Sequence, residues 1–210
     1  MSVESASVAT GTDADRIFVR ERVAASNRAG EDFFTEHAGT IAGCAAAMAD
    51  RFFAGATLFV FGSGPHATDA QHNSVEFVHP VLPGCRALPA LSLTNDTATV
   101  TGMLQGADAH DVFAHQLRVL GRPSDIALGF AHAPMHPSIA RGIATGTDCG
   151  MLTVALTSGD IGAEAPRADF TLHVPGTDRS VAHELHLASY HMLWELVHIV
   201  LNHRGIGDGG

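Results

Sequence analysis

Apolar residues recur at helical spacing from Asp13 to Phe53 (Ile17, Val23, Phe33, Phe34, Ile41, Ala45, Met48, Phe52), which predicts amphipathic helices with a break between two of them at Gly30. The pattern changes at Thr57. The run TLFVFG is continuously apolar, as a parallel strand buried on both faces must be, and Gly62, Ser63 and Gly64 close it before Pro65, a residue suited to a first helical turn. The same alternation then repeats: ALPALSL as a strand, a helical stretch from about Asp96 to Leu120, DIALGF as a strand, Ser138 to Thr145 as a helix, MLTVALT and DFTLHV as strands, and a last helix from about Ser180 to Asn202. Five strands interleaved with helices predict an α/β protein whose doubly wound parallel sheet is covered on both faces, with sites outside the carboxyl ends of its strands.

A chain of 210 residues suits one domain. We expect a disordered tail over residues 1–13, a single domain with a helical N-terminal extension over 14–203, and a flexible tail over 204–210. Hydrophobic residues make up 46% of the chain, yet no apolar run approaches the roughly 20 residues that cross a bilayer. The start, MSVESASVATGTDAD, lacks the basic and apolar segments of a secretory signal, and a cytoplasmic protein is expected. A formal charge of −10 repels nucleic-acid backbones and anionic lipid, so neither is an expected partner. Cys44, Cys85 and Cys149 are isolated thiols without metal-ligand spacing and are read as packing residues of a reducing compartment. Histidine, with 14 copies, is the compositional excess that calls for a chemical reading.

Three segments can carry chemistry. GSGPHATDAQHNSVEF, placed after the first strand, brings the backbone N–H groups around Ser63 and Gly64 and a helix N-terminus to the sheet edge, a recipe for holding an anion and equally an ordinary turn. In the helix that follows, His72 and Glu76 lie four apart on one face, able to share a ligand or to form a simple ion pair. The last helix carries His183, His186, His191 and His198. Of these His183, His191 and His198 share an arc of about 80° with Leu187 and Trp194, as ligands or as satisfied core histidines.

GSGPHATDAQHNSVEF, LPALSLTNDTATVTG, VFAHQL and HELHLASYHMLWELV, in that order and at those separations, resemble the signature blocks of phosphoheptose isomerases, members of the sugar isomerase (SIS) family, over about residues 15–203. The resemblance implies a three-layer αβα sandwich, assembly as a homotetramer through N-terminal helices, and interconversion of sedoheptulose 7-phosphate and a heptose 7-phosphate. It implies zinc, with His72, Glu76, His183 and His191 at the ligand positions and His183 in place of a glutamine. Three imidazoles and a carboxylate suit that ion. Eight helical residues rise about 12 Å, so His183 and His191 meet one ion only if the first turn bends or if His183 serves another subunit. The resemblance also makes Glu76 the base and His191 the acid of an aldose–ketose isomerisation, and places Asp96, Thr97 and Gln116 at the ligand.

The chain departs from this pattern where phosphate is held. His66 stands where the family has a serine, and Ala131, His132, Ala133 and His136 occupy the second turn, where hydroxyls are expected. Each lost hydrogen bond to a charged group is worth about 1.5 to 3 kcal/mol, which weakens an ordinary sugar-phosphate site. On the SIS fold His66, His132 and His136 are expected to form a second cluster, which either holds an anion when protonated, holds a second metal or another ligand when neutral, or only fills the space left by a lost substrate. Three readings follow: a metal-dependent isomerase of a sugar, sugar phosphate or polyol; a noncatalytic SIS protein that keeps the scaffold as a metal-binding accessory or binding module; or a bare tetrameric interaction scaffold that needs neither metal nor ligand.

Overall fold

The computed structural model describes residues 11–106, 108–160, 167–176 and 178–205. Of the expected tails over 1–13 and 204–210, residues 1–10 and 206–210 lie outside the described residues, and Asp13 already belongs to a helix. The chain divides into two compact units, one reaching to Glu36 and the other running from His37.

Helix α1 spans Asp13–Phe53 without interruption. It opens on a reciprocal cap: the Thr12 amide and hydroxyl donate to Asp15 Oδ2 at 2.7 and 2.8 Å, and the Asp15 amide donates back to Thr12 Oγ1 at 3.2 Å. The break expected at Gly30 is absent. One glycine costs a helix about 1 kcal/mol relative to alanine, and neither a proline nor a capping residue stands beside it to end the helix.

From His37 onward the alternation read from the sequence is present. Strands β1 (Leu58–Gly62), β2 (Ala90–Ser92), β3 (Ile126–His132), β4 (Leu152–Ser158) and β5 (Phe170–Val174) form one parallel sheet in the order β2-β1-β3-β4-β5. Every residue of β1 and β4 is buried, as strands covered on both faces require. Helix α2 (Pro65–Val78) follows β1, and α6 (Arg179–His203) ends the chain. The helical stretch expected across 96–120 is divided into α3 (Thr97–Leu104), a 3₁₀ turn (Ala109–Asp111) and α4 (Val112–Leu120). Asp96 caps α3 and Asp108 caps the 3₁₀ turn, so each starts its own helix. Helix α5 spans Pro137–Asp148.

Alternate strand residues face opposite layers. Phe59, Phe61, Ala127 and Ala155 pack with Val112, Phe113, Leu117 of α4 and Ile139, Ile143 of α5. On the other side Phe130 meets Tyr190 of α6 edge to face at 5.8 Å, and His186 of α6 bonds the Thr157 carbonyl at 3.1 Å. This is the expected three-layer sandwich. The strand order reverses between β1 and β3, where connections leave in opposite directions and open a crevice at the carboxyl ends of the strands. None of the described helices is long and apolar enough to cross a membrane.

Candidate active site

The turn after β1 is built for close approach. A Cβ on Gly62 would lie 2.4 Å from the His66 carbonyl oxygen, and Gly64 takes φ +60° as α2 begins. The first turn of α2 is thereby set against the end of β3, and one face of α2 is turned toward α6.

Two pairs of side chains join α2 and α6. Glu76 Oε1 lies 3.3 Å from His72 Nε2 and 3.2 Å from His191 Nε2. Two turns earlier on α2, Asp69 Oδ1 lies 2.8 Å from His183 Nε2, and Asp69 Oδ2 lies 2.9 Å from His66 Nδ1. The Trp194 indole N–H donates to the Glu76 carbonyl at 2.9 Å and holds the two helices in register.

The first group fits a metal ion. Among the described residues, donor atoms of His72, Glu76 and His191 all lie within 4.8 Å of one another. His191 Nε2 is buried without a hydrogen-bond partner, although it faces the Glu76 carboxylate. A lone pair set against a carboxylate oxygen is repulsive unless a proton or a cation lies between them. Ligands about 2.0–2.1 Å from a tetrahedral zinc sit about 3.3 Å from each other, the spacing of these contacts. Two imidazoles and one carboxylate are also the donor set of catalytic zinc sites that keep a position open for substrate. His72 is oriented from behind by the Tyr190 hydroxyl, 2.8 Å from Nδ1, which directs Nε2 to Glu76. Burial, reinforced by the charges of Asp69 and Glu76, pushes the Tyr190 phenol above its ordinary range, so it keeps its proton.

His183 does not join this group. Helix α6 is regular from Arg179, so the rise of about 12 Å over eight residues carries His183 away from His191 and onto Asp69. Asp69 itself is buried, 3% exposed, and was missed in the sequence. Its signal was there: Asp69 and Glu76 are seven apart, hence on one helical face.

His66, His132 and His136 do come together. They line one cavity of about 250 Å³ with Ser63, Ser158, Arg179 and His183, at the carboxyl ends of β1, β3 and β4. Each ring has a partner of its own: His66 has Asp69, His132 Nδ1 meets Ser158 Oγ at 2.8 Å, and His136 Nδ1 meets Ser138 Oγ at 2.8 Å. His136 Nδ1 also accepts from the Ser138 amide and so caps α5. Burial, then the charges of Arg179 and His66, hold His132 below the ordinary histidine range. The pocket keeps hydroxyls although His66 and the second turn lack those expected of the family. Ser63 and Ser158 supply them from the ends of β1 and β4, and Arg179, at the start of α6, adds a fixed positive charge.

Asp96, Thr97 and Gln116 lie elsewhere. Asp96 accepts from Ala98 N, Thr99 N and Thr99 Oγ1 at 3.0, 3.1 and 2.8 Å, bonds that hold its carboxyl below the usual range, those from Thr99 foremost. Thr97 is the exposed first residue of α3. Gln116 is buried and donates to the Leu93 and Val112 carbonyls at 3.1 and 3.0 Å. Asp96 and Gln116 line a hollow of about 450 Å³ that shares no lining residue with the histidine pocket. His186 and His198 are core residues, the second bonded to the Arg86 carbonyl at 3.0 Å. Cys44 is buried too, which pushes its thiol up to about 12 and leaves it unreactive.

Residues 23–158 match the SIS domain model. The chain is 34% identical over 180 residues to the phosphoheptose isomerase of Solidesulfovibrio magneticus, covering 86% of each protein. It is 30% identical to that of Thermodesulfovibrio yellowstonii, covering 87% of this chain and 91% of the relative. Its fold resembles the solved phosphoheptose isomerase of Francisella tularensis with a TM-score of 0.81 at 26% identity, over 90% of this chain and all of that one. The corresponding values for the enzyme of Neisseria gonorrhoeae are 0.76 and 26%, over 85% and 98%.

Proposed function

Because this chain belongs to the SIS domain family, we propose that it is an aldose–ketose isomerase acting on a sugar phosphate, with Glu76 as base and His191 as acid. The observation that carries the reading is the meeting of His72, Glu76 and His191 around one point, with a buried imidazole nitrogen left without a hydrogen bond. Relatives that are 30 to 34% identical bear the name phosphoheptose isomerase, which makes a heptose phosphate the first substrate to test.

The chemistry moves a proton between adjacent carbons through an enediol. Glu76 turns Oε1 to the two imidazoles, which leaves Oε2 to take the proton from the carbon beside the carbonyl and return it to the neighbour. His191 passes a proton between the two sugar oxygens through Nδ1, the nitrogen not turned to Glu76. His72, Glu76 and His191 would hold a divalent ion, zinc by donor type, which would supply Lewis-acid polarisation of the carbonyl. The phosphoryl end lies in the histidine pocket, where Arg179 and the imidazoles offset hydroxyls lost at the second turn. We further propose a cytoplasmic homotetramer.

The test is incubation of zinc-supplemented protein with sedoheptulose 7-phosphate in deuterated water, followed by NMR. Product formation with deuterium at the carbon beside the carbonyl is expected. If the metal-loaded protein binds the sugar phosphate but gives neither product nor exchange, the noncatalytic reading replaces this one.

A further inference from the structure

Asp69 is not used by the isomerisation just described, yet it is the most completely engaged carboxylate near the site. It is 3% exposed, and each of its oxygens faces a different imidazole: Oδ2 faces His66 Nδ1 at 2.9 Å and Oδ1 faces His183 Nε2 at 2.8 Å. An ionised carboxylate only accepts hydrogen bonds, so both rings donate to it. The proton positions follow: His66 carries one on Nδ1 and His183 one on Nε2. The nitrogens left over, His66 Nε2 and His183 Nδ1, belong to rings that both line the pocket with Arg179.

The plane of the His66 ring is also constrained. Phe130 stacks along it with centroids 6.3 Å apart and planes 14° apart, and His186 flanks it at 5.8 Å. His186 is fully buried behind that ring, and burial pushes its pKa down to about 4, so this neighbour of His66 is uncharged at neutral pH. The two remaining ring nitrogens and the guanidinium stand at a cavity that Phe130, Ala131 and Ile139 line together with His132, His136, Ser63 and Ser158. When a phosphoryl group enters with its proton, that proton passes to His66 Nε2, and the imidazolium then donates from Nδ1 to Asp69 and from Nε2 to the phosphoryl oxygen.

We propose that Asp69 is a positioning residue for anion recognition: it fixes His66 and His183 together, so that with Arg179 they hold the phosphoryl end of the substrate. This rests on reading the pocket as the phosphoryl site, but it needs no turnover. A side chain acting through two imidazoles also has a signature that a merely structural carboxylate lacks: its removal changes nothing further once both imidazoles are gone.

The experiment is titration of the full chain with inorganic phosphate by calorimetry, in the wild type, Asp69→Asn, His66→Ala, and His66→Ala with His183→Ala, the last with and without Asp69→Asn. Asparagine offers one acceptor and one donor, so it satisfies only one of the two rings. Phosphate affinity is expected to fall at least tenfold in Asp69→Asn and in His66→Ala, while Asp69→Asn changes it by less than twofold in the double-alanine background. A second measurement needs no variant: in ¹⁵N-histidine-labelled wild type, His66 Nδ1 and His183 Nε2 are protonated and phosphate shifts His66 Nε2. Wild type that binds no phosphate, an Asp69→Asn protein that binds it within twofold of wild type, an undiminished effect in the double-alanine background, or an unshifted His66 Nε2 each overturns the proposal. Phosphate binding with the expected dependence but no isomerisation leaves it standing and removes the isomerase reading instead.

Discussion

His191 Nε2 lies 3.2 Å from Glu76 Oε1 and, although buried, makes no hydrogen bond to it or to anything else described. On the same pair of helices, His183 and Asp69 meet at 2.8 Å in a well-formed bond. The two pairs separate the residues that suit an ion from those that satisfy each other.

Metal content follows that division. His72→Ala and His191→Ala are each expected to lower zinc affinity at least tenfold, whereas His183→Ala retains the ion. Elemental analysis after dialysis against a weak chelator reads this directly. Loss of metal in His183→Ala alone would place that residue in the coordination sphere after all.

Tyr190→Phe removes the hydroxyl behind His72 and nothing else. Groups that orient a ligand from behind are worth about 10 to 100-fold in metal affinity, so this variant is expected to weaken zinc by that factor. Competition with a chromophoric chelator measures it, and unchanged affinity would show that His72 is oriented by other contacts.

His186 makes stability depend on acid. Its pKa is about 4 in the fold, chiefly through burial, against 6.5 ordinarily, so between those values the unfolded chain binds the extra proton. Stability is therefore full above pH 6.5, falls as pH drops toward 4, and levels below it, for a total loss of about 3 kcal/mol. Urea midpoints at pH 7.5 and pH 5 should show the decline. In His186→Gln, which keeps a donor for the Thr157 carbonyl, the decline should be smaller, and an equal decline would assign it to other groups.

Gly142 lets α5 lie against the sheet. A Cβ there would stand 2.6 Å from Phe61 Cε2, and Phe61 is buried and stacked on Phe113 with ring centroids 5.3 Å apart. Gly142→Ala is expected to cost about 1 to 3 kcal/mol by overpacking, despite alanine's better helix propensity. Equilibrium urea unfolding gives the sign, and stabilisation would mean that Phe61 can move.

The order and type of nearly every element were legible in the chain because each depends on local periodicity: TLFVFG and MLTVALT are apolar at every buried position, and α6 repeats its apolar face over 25 residues. His72 and Glu76 were legible for the same reason, since four residues on a helix are neighbours whatever surrounds them. Pairings between elements are another matter. That α6 brings His191 to Glu76 but His183 to Asp69, and that Ser63, Ser158 and Arg179 gather around the histidines, depends on how far apart two helices lie and on which strand ends meet at the reversal between β1 and β3. Those distances are set by packing over the whole sheet, by close contacts such as Gly62 and Gly142, and no spacing along the chain encodes them. Tertiary structure thus decided which imidazoles gather at Glu76, which face Asp69, and which line the pocket at the strand ends.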